Sequence, residues 1–301
     1  MRATPLKSDL ERDQYRFYEG VEYKHFWDGL KRSKLDELEH AIVRELLPVS
    51  GRRIIDVGCG YGRLADCYLN RFSQVVMVDA SMSLLHQAAE RVKDRAIYVA
   101  ADVNHMPFRA AAFDTVLMVR VFHHIPDSQA CLAQLHRMLC SNGTLAFTYC
   151  NKRNAQRAIK WLAGRTTENP FSAEPAGVGS TVISHHPKAV HRMLLEADFT
   201  NLRSYGAGVF DWLAGKLGPL GKWIPPGKRL AGWLGRSKIA PWIFCGAVAQ
   251  NRPDLIDAAG LEDLLQCPLC GDHLSHNEQG FECLGCKKYY PVEDGIIDLR
   301  V

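Results

Sequence analysis

From residue 53 onward the chain alternates short apolar runs with amphipathic stretches. Residues 53–57 (R-I-I-D-V) read as a buried strand, running into Gly58-Cys59-Gly60-Tyr61-Gly62. A helical stretch is predicted over 63–72. Residues 74–78 (Q-V-V-M-V) form a second strand that ends at Asp79. A helix over 83–92 sets Leu84, Leu85, Ala88 and Val92 on one face. A third strand over 96–100 ends near Asp102, and 113–121 contains a fourth. After a helix over 128–139, the turn Ser141-Asn142-Gly143 leads into a fifth strand at 143–149.

Continuous apolar strands alternating with helices predict a parallel sheet covered on both faces. The second half is less regular. A helix over 187–197 opens on a proline at its first turn. Residues 202–205 and 242–248 read as a final strand pair, 251–266 as a polar linker with a short helix, and 267–301 as a small module rich in glycine and cysteine. No internal repeat is visible.

Composition narrows the class. In 301 residues, 47% are hydrophobic and 23% charged, which is ordinary for a globular chain. The first residues are charged and lack an apolar core, so no signal peptide is read. No apolar run is long enough to span a bilayer. A cytoplasmic protein is expected, with a peripheral place at the membrane kept open. Net charge is +4, which by itself selects no partner.

The cysteines separate into two groups. Cys59, Cys67, Cys131, Cys140, Cys150 and Cys245 are scattered, several inside apolar runs where a thiol behaves as a small hydrophobe. Cys267-Pro-Leu-Cys270 and Cys283-Leu-Gly-Cys286 are two Cys-x-x-Cys turns in one short module. Four thiolates in two knuckles suit a tetrahedral zinc ion, and a pair of redox dithiols is the other reading. His273 and His276 lie nearby and are expected to face solvent.

A glycine-rich turn between strand and helix lets backbone approach a ligand at the sheet's carboxyl edge. Taken alone, Asp56-x-Gly58-x-Gly60-x-Gly62 fits a nucleotide loop or a tight turn. Its spacing differs from the dinucleotide fingerprint Gly-x-Gly-x-x-Gly. Each aspartate, taken singly, also fits a strand end or a helix cap.

Together, Asp56 to Gly62, Asp79 and Asp102 after successive strands, Phe113-Asp114-Thr115-Val116 and Val121-Phe122-His123-His124-Ile125 resemble the class I S-adenosylmethionine-dependent methyltransferases, in particular the quinone-methyltransferase-like group. The resemblance implies a Rossmann-like, doubly wound α/β fold with a mostly parallel seven-stranded sheet. It implies that Asp56, Gly58, Cys59, Gly60 and Gly62 surround the methionine and ribose parts of the cofactor, with Asp56 toward its amino end. Asp79, followed by Ala80, would accept from the ribose hydroxyls, Asp102 with Val103 would meet the adenine, and Arg120 would lie by the methionine moiety. The C-terminal module, with its tail Tyr290-Pro291-Val292 and Gly295-Ile296-Ile297-Asp298, resembles short zinc-ribbon proteins and the small activator subunit of RNA- and protein-modifying methyltransferases. It is expected to bind structural zinc through Cys267, Cys270, Cys283 and Cys286, and to pack on and stabilise its own catalytic domain.

The domains expected are an aromatic cap at 1–34 (Tyr15, Phe17, Tyr18, Tyr23, Phe26, Trp27), a catalytic domain at 35–250, a linker at 251–266 and the ribbon at 267–301. Two lids, at about 151–186 and 206–241, would rise over the substrate end. The first carries Lys152, Arg153, Arg157, Lys160, Trp161 and Arg165. The second, without an acidic residue between 212 and 253, carries Trp212, Lys216, Lys222, Trp223, Lys228, Arg229, Trp233, Arg236, Lys238 and Trp242. Such a surface suits an anionic amphiphile or a membrane interface, nucleic acid, or no more than a solvated basic face.

Methyl transfer needs a base only when the acceptor keeps its proton. His124 is the best-placed candidate and His123 the second, and both are also explained as structural residues. No Asn-Pro-Pro-Tyr-like motif follows the fourth strand, since Pro225-Pro226 lies elsewhere. Methylation of oxygen or carbon on a small or lipid-like metabolite is therefore expected, with an RNA acceptor as the alternative.

Overall fold

Strand residues alternate between two cores. Ile55, Val57, Val76, Val78, Val116 and Met118 face one side of the sheet. Their neighbours Ile54, Val75, Met77 and Leu117 face the other. This is the period-two pattern of a sheet buried on both faces. The computed structural model describes residues 30–178, 182–209, 228–258, 260–277 and 279–301. The aromatic run from Tyr15 to Trp27 and the lid residues Trp212, Lys216, Lys222 and Trp223 lie outside these.

The strands are β1 (Gly51–Val57), β2 (Phe72–Asp79), β3 (Ile97–Ala100), β4 (Phe113–Met118), β5 (Leu139–Asn151), β6 (Ala176–Val178), β7 (Val182–His185), β8 (Phe199–Ala207) and β9 (Trp242–Ala249). Helices are α1 (Leu30–Leu46), α2 (Met82–Val92), α3 (Ser128–Met138), α4 (Ala155–Leu162), α5 (Pro187–Glu196) and α6 (Lys228–Ser237). The central order is β3-β2-β1-β4-β5-β9-β8, with β9 antiparallel to both of its neighbours. Buried residues of α1 and α2 join one core, and those of α3 and α5 join the other. The doubly wound sheet is therefore as expected, though mixed.

Two expectations need correction. The stretch after the glycine turn is not a helix: it holds only a 3-10 turn over Ala65–Cys67 among other turns. The sheet also exceeds seven strands. At the end of β5, Cys150 and Asn151 pair in parallel with Ser184 and His185 of β7, which continues into β6. At the other edge, the C-terminal module contributes β10 (Leu274–Asn277), β11 (Gly280–Cys283), β12 (Tyr289–Glu293) and β13 (Ile296–Asp298), and β13 lies parallel on β3.

The segment read as a polar linker is tied to the large domain. Arg109 N donates to Leu264 O at 2.9 Å, Gln266 N to Pro107 O at 2.9 Å and Ser141 N to Pro253 O at 2.7 Å. Leu264 and Leu265 are buried in the same core as Leu274, Phe281, Tyr290 and Leu299 of the module. The module and the large domain thus share one apolar core.

Candidate functional site

The predicted cofactor residues converge at the carboxyl ends of β1 to β4. Asp79 joins three loops there. One carboxylate oxygen accepts from Gly60 N at 2.8 Å, and the other accepts from Ser81 N at 3.0 Å. Its backbone carbonyl accepts from Ala101 N at 3.1 Å. An ionised carboxylate at two amides is a strong, orienting arrangement.

The glycine loop is shaped by two steric facts. A Cβ on Gly58 would lie 2.2 Å from Val121 Cγ2, so only glycine lets the β1 loop touch the chain leaving β4. Gly60, at φ +55°, has open space where a side chain would stand. Beneath the loop, buried Asp56 accepts from Tyr68 Oη at 2.7 Å. Burial pushes its carboxyl up to about 7, and the nearby charge of Asp79 adds to the rise. Cys59 is buried in the loop, and burial holds its thiol well above the usual range. Asp102 caps the short turn Val103–His105, accepting from Asn104 N at 2.8 Å. Ala80 presents its carbonyl to Arg300 of the C-terminal tail at 3.3 Å.

Arg120 stands at the end of β4 in a left-handed conformation, φ 65°. Its amide donates to Thr148 Oγ1 at 2.8 Å, and its guanidinium lies 3.7 Å from the centre of the Trp242 ring. It also donates to Glu39, which accepts from Arg63 Nη2 at 2.8 Å. Burial alone would raise the Glu39 carboxyl, but the facing guanidiniums of Arg120 and Arg63 outweigh it and hold the group below the usual range. Sequence reasoning missed Glu39 and Arg63. Arg63 had a signal, since it directly follows the glycine turn, whereas Glu39 sits on a distant helix.

His123 and His124 occupy the turn Phe122–His124, with ring centroids 4.0 Å apart. His123 is buried edge-on to Trp242 at 4.9 Å, and burial drives its pKa down to about 2. Its Nδ1 has no hydrogen-bond partner among the described residues. Such a ring stays neutral and is a weak base at neutral pH. His124 is half-buried and keeps its place beside it.

In the C-terminal module, Sγ atoms of Cys267, Cys270, Cys283 and Cys286 all lie within 4.8 Å of one another. Cys267 is 3.6 Å from Cys286, and Cys270 is 3.3 Å from Cys283. Tyr290 Oη is 3.3 Å from Cys267 Sγ, and the Cys286 amide points at Cys283 Sγ at 3.4 Å. Donors aimed at sulfur favour thiolates, so the set could hold a metal ion. His276 is exposed and pairs with Glu262 at 3.0 Å.

Residues 55–147 match the family described as "Methyltransferase domain". The chain is 28% identical over 156 residues to a ubiquinone biosynthesis O-methyltransferase of Paracidovorax citrulli, a match covering 48% of this chain and 64% of that relative. Less than two thirds of that relative's length is thus spanned. Among solved structures, the magnesium protoporphyrin IX methyltransferase of Synechocystis PCC 6803 superimposes with a TM-score of 0.56 at 13% identity, covering 80% of this chain and all of that one. A chain of the complex between the Haloferax volcanii Trm112 methyltransferase activator and its methyltransferase superimposes with a TM-score of 0.53 at 16% identity, covering 75% and 96%. The fold is that seen in S-adenosylmethionine-dependent methyltransferases, and residues 55–147 are similar to the methyltransferase-domain family.

Proposed function

We propose that this protein is an S-adenosylmethionine-dependent methyltransferase acting on an oxygen or carbon of a small or lipid-like metabolite. The observation that carries the reading is the junction at Asp79, where one carboxylate fixes the glycine loop and the chain beyond β2. The residues present fit the cofactor. Gly60 leaves open space at the loop, and Asp79 and Asp102 place acceptor oxygens after β2 and β3. Gly58, Cys59, Gly60 and Gly62 would line its methionine and ribose parts with Asp56 beneath, Asp79 and Ala80 would hold the ribose, Asp102 and Val103 the adenine, and Arg120 would flank the methionine end. When bound, S-adenosylmethionine supplies a methyl group on a sulfonium, which calls for alignment more than activation.

The chain's own residues provide that alignment. Glu39 fixes Arg120 from below and Trp242 covers its guanidinium, so the cation is held in one place. Trp242 and His123 pack edge to face beside it. His124 would take the proton of an acceptor that carries one, with the ring of His123 packed against it as the second candidate. A basic, tryptophan-bearing rim suits an amphiphilic acceptor. The four cysteines of the C-terminal module would hold structural zinc.

The test is a label-transfer assay. Protein, methyl-labelled S-adenosylmethionine and cell extract are combined and then separated into organic-soluble, RNA and protein fractions. Label in the organic fraction is the expected result. Label confined to RNA would replace the metabolite reading with a nucleic-acid one.

A further inference from the structure

Helix α4 is amphipathic in the wrong sense for a soluble protein. Its Arg157 faces the body, donating to Ser184 Oγ at 2.8 Å and to Glu168 at 2.9 Å. At 3.6 residues per turn, Ala155, Ala158, Ile159 and Leu162 fall on the opposite side. Ile159 is 56% and Leu162 73% exposed, and no residue of the helix is buried. A helix ordinarily turns its apolar stripe inward. This one presents it to solvent, with Lys160 and Arg165 exposed beside it.

Helix α6 packs an apolar inner face but also exposes apolar side chains on its outer one. Ala231, Leu234 and Gly235 form its inner face, and Gly235 is pressed so close to β8 that a Cβ would meet Ser204 O at 2.3 Å. Leu230, Trp233 and Arg236 run along the outer face at a spacing of three, all exposed. The two helices meet at one junction, where Ala155 N donates to Ile239 O at 2.9 Å and Arg153 to Ser237 O at 3.3 Å. That junction lies at the end of β5 and the start of β9, the rim where the candidate site opens.

We propose that this rim docks on the surface of an anionic lipid bilayer. Ile159, Leu162 and Trp233 would enter the boundary between headgroups and acyl chains, and Lys160, Arg165 and Arg236 would meet lipid phosphates. Charge supports an anionic partner: no acidic residue occurs between 212 and 253, and Glu168 is already paired with Arg157. The exposed aliphatic pair favours lipid over nucleic acid, since Ile159 and Leu162 would gain nothing from a phosphate backbone. The inference rests on and deepens the reading of a lipid-like acceptor, but its test needs neither cofactor nor reaction.

The 301-residue chain is sedimented with vesicles of phosphatidylcholine alone, or with about one third phosphatidylglycerol. Binding to the anionic vesicles is expected. The double change Ile159→Ser and Leu162→Ser should weaken it about tenfold or more. Val49→Ser, an exposed apolar site just before β1 at the opposite rim, should leave it unchanged. Thermal melts of each variant separate lost docking from lost folding. Absence of binding to anionic vesicles, or equal binding by the Ile159/Leu162 variant, would overturn the proposal. So would RNA binding without vesicle binding, lost in Lys160→Glu with Arg165→Glu but kept in the Ile159/Leu162 variant.

Discussion

Glu39 on α1 is fully buried, and its carboxylate holds Arg120 at the end of β4 while also accepting from Arg63 beside the glycine turn. Three pieces of chain are thereby joined at one charge. Asp36 shares the load on the other side of Arg63.

Removing Glu39 should be costly, because two guanidiniums with little access to water would lose their counter-charge. Glu39→Ala is expected to destabilise the fold by on the order of 3–5 kcal/mol, a drop in Tm of roughly 10 °C for a chain of this size. Glu39→Gln, which keeps an acceptor but no charge, should fall between the two. Thermal melts check this, and an unchanged Tm in Glu39→Ala would show that the network adds nothing to stability.

Asp79 should matter more to binding than to folding. Asp79→Ala removes the acceptor for the Gly60 and Ser81 amides and is expected to weaken cofactor affinity tenfold or more, about 1.4 kcal/mol per tenfold. Asp79→Asn retains an acceptor and should lose less. Calorimetric titration with S-adenosylhomocysteine reads both. A large fall in Tm with affinity intact would reduce Asp79 to a loop staple.

Asp56 gives a pH signature of unusual sign. Burial raises its folded-state pKa from an ordinary 3.8 to about 7. Between those values the folded protein holds a proton that the unfolded chain releases, so this group's stabilising effect is present at low pH and fades as pH rises toward 7. Asp56→Asn, which cannot titrate, should therefore gain stability relative to the parent as pH goes from about 4 to about 7. Paired melts across that range test it, and a constant difference would mean that Asp56 titrates normally.

Much of this site was legible in the chain. The strands were continuous apolar runs, and Gly58, Gly60, Asp79 and Asp102 fell at their ends in register. The four cysteines also declared themselves by spacing. Other features had no local signature. Glu39 reads as one more polar position on a charged helix, and only the tertiary fold sets it between Arg63 and Arg120. The segment after Gly62 has helical composition, yet its amides bond mostly three residues back, as in Ala65 N to Gly62 O and Cys67 N to Leu64 O, while Leu69 N reaches four back to Ala65 O. The linker's polar composition concealed Leu264 and Leu265, which are buried against the sheet's edge.

The C-terminal module should report on the proposed cofactor pocket. In the register of β13 on β3, Asp298 stands beside Ala100, and Leu299 N donates to Ala100 O at 2.8 Å. Those contacts fall two residues before Asp102, and Arg300 reaches across to Ala80, next to Asp79. If the four thiols hold zinc, elemental analysis should find one ion per chain, and chelation or Cys283→Ser should loosen the module. Because its apolar residues continue the domain's own core, the Tm should fall by several degrees, about 2–4 °C per kcal/mol lost. Affinity for S-adenosylhomocysteine should weaken as well, since the backs of the loops carrying Asp79 and Asp102 lose their support. Arg300→Ala isolates that second effect: it removes the bond to Ala80 O together with a local surface ion pair to Asp298, the latter worth about 0–1 kcal/mol, and should reduce affinity a few-fold with Tm little changed. A module that lowers Tm on chelation but leaves affinity untouched would be a staple alone. Loss of affinity in Arg300→Ala would instead make the tail part of the pocket's frame.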